Sequence, residues 1–258
     1  MSESDFSENP LGSGSPSTLK PRIGLNVDVA QEESGRIVTR MNIRYSDLIL
    51  QHGGIPVIFP PGVNPDDVSE LIDGFLLIGG DDYVCGMKDR ESPPARFVGV
   101  LPRREEADLV WAHWLLQSDL PVLGICGGLQ ALVLASGGDL VEDIETEIES
   151  NVIHRVVEPG NIPKHEINWN GHLSECPPSG TFVINSSHHQ SVGRLPVDWQ
   201  LLAQSEDGVV EACADESGRC VGVQWHPELM PDDVLGHAIT RRLILRAMER
   251  QGSSSCRG

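Results

Sequence analysis

A cysteine, a histidine and a glutamate occur in this chain in settings suited to acyl transfer. Cys126 lies in Pro121–Gln130, PVLGICGGLQ, where the apolar run Val122, Leu123, Ile125 meets glycines and continues as Leu129 to Leu134. The first part predicts a buried strand and the continuation a helix. A reactive side chain flanked by glycines at a strand-to-helix turn is the geometry of a nucleophile elbow. The glycines leave room around the thiol, while the positive end of the helix favours a thiolate and a developing oxyanion. A second strand-like run, Gly222–Val223–Gln224–Trp225, stops at His226 before Pro227, with Glu228 two residues beyond the histidine. A thiol attacks faster when a base takes its proton, and the base works better when a third group fixes its tautomer. Cys126, His226 and Glu228 supply nucleophile, base and orienting acid.

With both segments in view, the chain resembles the class I glutamine amidotransferase-like superfamily, and within it the gamma-glutamyl-gamma-aminobutyrate hydrolase branch, peptidase C26. The resemblance extends through Pro21–Leu25, Tyr45 to Val57, Asp73–Asp82, the Arg104–Glu105 pair with Asp108, Asn185–Val192 and Asp207–Ala212. It implies that Cys126 attacks a gamma-glutamyl amide to give a glutamyl thioester, with His226 as base and then acid and Glu228 orienting it. It implies an oxyanion hole from the Gly127 and Gly80 amides. It also implies a substrate pocket involving Gln130, Gly79, Asp82, His188, His189 and Gln190. Two positions depart from the branch. Gly127 stands where an arginine usually follows the cysteine, and the loop after Gly80 reads Asp81-Asp82-Tyr83-Val84-Cys85-Gly86 without the usual proline.

The surrounding elements must hold these residues together. The apolar runs Arg22–Asp28, Val57–Pro60, Gly74–Gly79 and Val122–Ile125 alternate with helical patterns over Arg40–His52, Asp66–Ile72, Arg103–Gln117 and Gly127–Ser136. Such an order argues for a doubly wound, mostly parallel sheet of flavodoxin-like α/β type, whose sites form at the carboxyl ends of strands. From Asn151 to Cys220 short β-like runs (Phe182–Asn185, Leu201–Gln204, Val209–Cys213) predict a small antiparallel extension. Pro231–Arg250 then closes as a helix with Leu235, Ile239, Leu243 and Met248 on its apolar side. The expected organisation is a tail over 1–20, one domain over 21–250 and a flexible tail over 251–258, since both ends are rich in serine and glycine.

A net charge of −19 opposes nucleic acid and anionic membranes. No apolar run approaches a membrane span and no hydrophobic signal core opens the chain, so cytoplasm is the default expectation. The six cysteines form no C-x-x-C pair and are expected as thiols, with Cys213 and Cys220 able to face one another across a hairpin. The histidines His154, His165, His172, His188 and His189 lack metal-site spacing, and His188 and His189 would point to opposite faces of a strand. No metal and no cofactor are expected. Three functions follow as readings: a free-standing hydrolase of small gamma-glutamyl amides, a glutaminase subunit delivering ammonia to a separate synthase, or a catalytically silent binder of glutamyl metabolites. A homo-oligomer is compatible with each.

Overall fold

The computed structural model describes residues 19–88, 91, 93–158 and 160–255. The tail expected over residues 1–20 lies almost wholly outside them, as does the end of the chain from 256.

The amino-terminal half builds strands β1 Arg22–Leu25, β2 Asp28–Gln31, β3 Ile37–Arg40, β4 Ile55–Ile58, β5 Gly74–Leu77 and β6 Val122–Ile125. Among these lie helices α1 Ile43–Gln51, α2 Pro65–Val68 and α3 Pro102–Gln117, and β6 runs into α4 Gly127–Ala135. The other half adds β7 Leu140–Val141, α5 Ile144–Glu147, β8 Lys164–Trp169, β9 Gly180–Asn185, β10 Ser191–Val192, β11 Trp199–Ser205, β12 Val210–Asp215, β13 Cys220–Val223 and α6 Val234–Ser255. One mixed sheet of 11 strands runs β4-β1-β5-β6-β13-β12-β11-β8-β9, with β10 on β12 and β7 on β10. Its parallel part, β4 through β13, is the expected doubly wound sheet, and antiparallel strands extend it from β12 onward.

Residues of β5, β6 and β13 are buried throughout because helices cover both faces. On one face α1 and α6 pack Leu48, Ile49, Leu235, Ile239 and Leu243 against Ile23, Leu76 and Leu123. On the other, α3 and α4 pack Trp111, Leu115 and Leu132 against Phe75, Leu77 and Val122, with Phe75 and Trp111 ring centres 4.4 Å apart. Each large side chain buried this way contributes about 1.5–3 kcal/mol before entropy is counted. No helix among the described residues is long and apolar enough to cross a membrane.

Several elements differ from their expected extents. The run Arg22–Asp28 is not one strand: the chain leaves the sheet after Leu25, because the Asn26 side chain donates to Asp108 at 2.7 Å and accepts from the Ile78 amide at 2.8 Å. Asp28 then opens a separate β2–β3 hairpin, so α1 begins at Ile43 instead of Arg40. Helix α6 continues through Gln251, whose side-chain amide donates to Asp73 at 2.8 Å, where the sequence pattern suggests a tail. Cys213 and Cys220 do not face each other, since the β12–β13 register sets Cys213 opposite Gly222.

Candidate active site

Cys126 caps α4 with φ 51° and ψ −109°, a left-handed conformation that a β-carbon resists. Holding a non-glycine residue there costs of order 1–3 kcal/mol, offset by neighbours that fix it. Its amide donates to the Val223 carbonyl at 2.8 Å and its carbonyl accepts from the Gln130 amide at 3.1 Å, tying strand, turn and helix together. The glycines around it serve close approach. A β-carbon on Gly128 would lie 2.1 Å from the Leu77 carbonyl oxygen, and one on Gly124 would lie 2.7 Å from the Gly128 backbone.

The parallel pairing of β6 with β13 brings His226 to the same sheet edge as Cys126. Asn185, at the end of β9, clamps the histidine's backbone from both sides, accepting its N–H at 2.8 Å and donating to its carbonyl at 2.7 Å. His226 Nδ1 lies 2.7 Å from Glu228 Oε1. With the carboxylate as acceptor, Nδ1 carries the proton and Nε2 is left for the thiol. Burial pulls the His226 basicity down, but the Glu228 carboxylate and the Cys126 sulfur outweigh it and raise the pKa well above its ordinary value. The protonated imidazole is thereby favoured at His226. The Gln224 side-chain amide donates to Cys126 Sγ at 3.5 Å, a further contact that suits a thiolate. Burial pushes three thiols away from the site upward, Cys176 to about 11, Cys220 to about 12 and Cys213 higher still.

The Gly79–Gly80 loop, which follows β5, faces the elbow. A β-carbon on Gly127 would sit 3.1 Å from the Gly80 nitrogen, so the two residues pack side by side. Gly127 is the first residue of α4, where an amide has no intrahelical partner, and among the described residues nothing accepts from the Gly80 amide. Gly79 differs: its amide donates to the Tyr45 hydroxyl at 3.1 Å and is already used. Beneath the loop, fully buried Arg104 pairs with Asp108 and reaches the Ile78 and Gly79 carbonyls, while Tyr83 donates to Asp108 at 2.7 Å. Gly127→Ala is expected to push the Gly80 amide back by a few tenths of an ångström. We expect kcat to fall about tenfold with Tm shifted by no more than about 3 °C, checked by steady-state kinetics beside thermal melts. An arginine at 127 would carry the same β-carbon and move the same loop.

Two cavities meet at the thiol and share Gly80, Asp81, Cys126 and Ser187. The smaller, about 150 Å³, is lined by Arg96, Gln130 and Gln190 among others. The larger, about 480 Å³, holds His226, Tyr45, Arg40 and Asp28. The expected pocket residues divide by role. Gln130 and Gln190 line the smaller cavity, and the buried Gln190 amide has no hydrogen-bond partner. Asp82 and His189 line it too but hold each other at 3.0 Å, with Asp82 also accepting from the Val98 amide at 2.7 Å. His188 contacts the same cavity, yet its ring is fixed elsewhere, with Nδ1 on the Gln190 carbonyl at 2.9 Å and Nε2 beside Ser186 at 3.0 Å. Asn185, Gln224, Tyr45 and Asn26 were not legible as site residues. Gln224 lies in the run that stops at His226, but nothing there marks it as a partner of the thiol, and only tertiary pairing brings the other three here.

Comparison with known proteins agrees with the fold. Residues 21–228 match the peptidase C26 family, so the chain belongs to that family. It is 30% identical over 210 residues to gamma-glutamyl-gamma-aminobutyrate hydrolase of Escherichia coli O157:H7, covering 75% of this chain and 80% of that one. It is 29% identical over 189 residues to a Schizosaccharomyces pombe protein provisionally named a glutamine amidotransferase, covering 73% and 74%. A glutamine amidotransferase structure from Thermotoga maritima superposes with a TM-score of 0.55 at 16% identity, covering 90% of this chain and 97% of that one. The fold is that of the class I glutamine amidotransferases, and the family affiliation makes the protein a hydrolase.

Proposed function

We propose that the protein hydrolyses gamma-glutamyl amides of small amines through a Cys126–His226–Glu228 triad. The observation that carries this reading is the His226 ring, bonded to Glu228 and placed with a raised proton affinity next to a cysteine at a strained elbow. The Cys126 thiolate attacks the gamma-carbonyl, and the Gly127 and Gly80 amides receive the oxyanion. Imidazolium His226 hands its proton to the departing nitrogen, leaving a glutamyl thioester. His226, now neutral, takes a proton from water, which attacks the thioester and releases glutamate. Because His226 lines only the larger cavity, the amine departs on that side and the glutamyl chain occupies the smaller one.

Incubation with a glutamine-analogue electrophile tests the nucleophile: one adduct is expected, on the peptide containing Cys126, by mass spectrometry. Steady turnover of gamma-glutamyl amides by the pure protein supports the free-standing hydrolase. Activity confined to glutamine, and appearing only with an added synthase, would replace it with the amidotransferase-subunit reading that the S. pombe relative's name suggests.

The raised proton affinity of His226 has a sign in pH. Rates should fall on the alkaline side as pH passes that raised value, since the leaving amine then lacks its acid. Glu228→Gln removes the carboxylate that raises it, so the alkaline limb should move to lower pH and kcat should drop roughly 10²–10⁴-fold. The pairing also stabilises the fold, fully below about pH 6.5 and progressively less as pH climbs through the raised value. Rate profiles and melts of both forms between about pH 6 and about pH 10, from the ordinary histidine value upward, check both statements.

A further inference from the structure

We infer that His154, His165 and Glu211, with His188 as fourth ligand, bind a zinc ion behind the loop that lines the glutamyl cavity. The donor atoms of the first three lie within 4.8 Å of one another. Glu211 Oε1 is 3.3 Å from His154 Nδ1 and 3.0 Å from His165 Nε2, while Glu211 Oε2 is 3.8 Å from His188 Nε2. Tetrahedral zinc, with bonds of 2.0–2.1 Å, sets its ligand atoms about 3.3 Å apart. The side chains are almost wholly withdrawn from solvent, at 3% exposure for His154, 9% for His165, 2% for His188 and 0% for Glu211. Yet His154 Nδ1 and Glu211 Oε2 make no hydrogen bond among the described residues. An acceptor oxygen buried without a donor is costly, and here it faces an imidazole nitrogen.

Outer contacts fix the required tautomer in two of the three histidines, while His165 Nδ1 is buried without a partner among the described residues. His154 Nε2 lies 2.9 Å from Asp207 Oδ2, so its proton belongs there and Nδ1 is the free lone pair. His188 Nδ1 meets the Gln190 carbonyl at 2.9 Å, which can only accept, so Nε2 holds a lone pair; the Ser186 hydroxyl beside it at 3.0 Å donates instead to the His154 carbonyl at 2.8 Å, leaving that lone pair for the ion. Carboxylates and carbonyls in this position are what hold metal-bound histidines. Formal charge also closes: two negative groups, Glu211 and Asp207, match one divalent ion. Three imidazoles and one carboxylate suit zinc better than calcium or magnesium, which prefer oxygen.

Sequence spacing argued against any metal, by treating His188 and His189 as neighbours in a strand. They lie instead in the loop between β9 and β10, and the donors come from that loop, the loop before β8, β8 itself and β12. The ion would pin Ser187–Gln190 against the sheet, where Gln190 borders the glutamyl cavity. The competing cation is a proton on His154, whose basicity Glu211 and Asp207 raise despite burial.

Zinc content of the full-length, tag-free protein by mass spectrometry of the metal separates the two. One equivalent of zinc is expected, retained in Cys126→Ala and lost in Glu211→Gln and His165→Asn. Cobalt(II) added to metal-stripped protein should give the visible absorption of a tetrahedral site, with Tm rising on zinc addition. The Cys126→Ala background keeps zinc captured by the catalytic thiol out of the count. Stripped protein that takes up less than about a tenth of an equivalent, or whose zinc disappears with Cys126→Ala, would overturn the inference in favour of the protonated network. Should either ligand variant fail to fold, the cobalt spectrum and the stoichiometry in Cys126→Ala decide alone.

Discussion

Replacing Cys126 by alanine should leave a folded protein with turnover reduced by roughly 10⁴-fold or more, the scale on which loss of a covalent nucleophile acts in other hydrolases. The fold should survive because the change is small where it matters mechanically. Alanine keeps the β-carbon, so the strain at φ 51° is neither relieved nor increased, and the amide still donates to Val223. What is lost is one sulfur and its 3.5 Å contact with the Gln224 amide, a change of about 1 kcal/mol or less in stability. The electrostatic consequence is larger. Part of what raises His226's proton affinity is the Cys126 sulfur, so in the variant His226 should titrate closer to its ordinary value. Amine release from a gamma-glutamyl amide, thermal melts and the histidine titration by NMR give three separate readings. Near-wild-type turnover with an unchanged melt would remove Cys126 from the mechanism.

The elbow was legible in the sequence because its chemistry is local. A thiol presented at a strand-to-helix turn needs glycine within a few residues, and the histidine needs its orienting acid close by. The supports of the site follow no such rule. Asn185 clamps His226 from 41 positions away, and Asn26 reaches Asp108 across 82. Those pairings join the end of β9 to the turn after β13 and helix α3 to the turn after β1, and no window of sequence contains them. The run Arg22–Asp28 illustrates the difference. Its apolar alternation favours one strand, but two buried hydrogen bonds of Asn26 turn the chain out of the sheet and free Asp28 for a hairpin. His188 and His189 do turn apart as read, but from a loop and not from a strand. Adjacent residues alternate faces only in a strand, and in this loop one ring turns to Glu211 while the other meets Asp82. The glycine after the thiol shows how far local reading reaches. Gly127 is visible as a departure from the branch, but that its missing β-carbon bears on Gly80 is visible only in three dimensions.

Gly128→Ala, one residue further along, should damage the fold itself. The added β-carbon would lie 2.1 Å from the Leu77 oxygen and 2.7 Å from the Leu77 carbonyl carbon. Both are main-chain atoms of β5, which is locked in register with β6 through Leu77↔Gly124 and with β1 through Leu25↔Leu76. No rotamer change can absorb such an overlap, so either α4 lifts from the sheet or β5 shifts. Each movement opens the packing of Leu132 and Trp111 around Phe75, and each separates the two amides proposed to form the oxyanion hole. A loss of about 3 kcal/mol or more is expected, seen as a lower urea midpoint at unchanged slope. Activity should fall together with stability, in contrast to Gly127→Ala, where the contact is 3.1 Å and involves a loop that can yield. A Gly128→Ala midpoint within about 0.5 kcal/mol of wild type would mean that α4 does not approach β5 as closely as described.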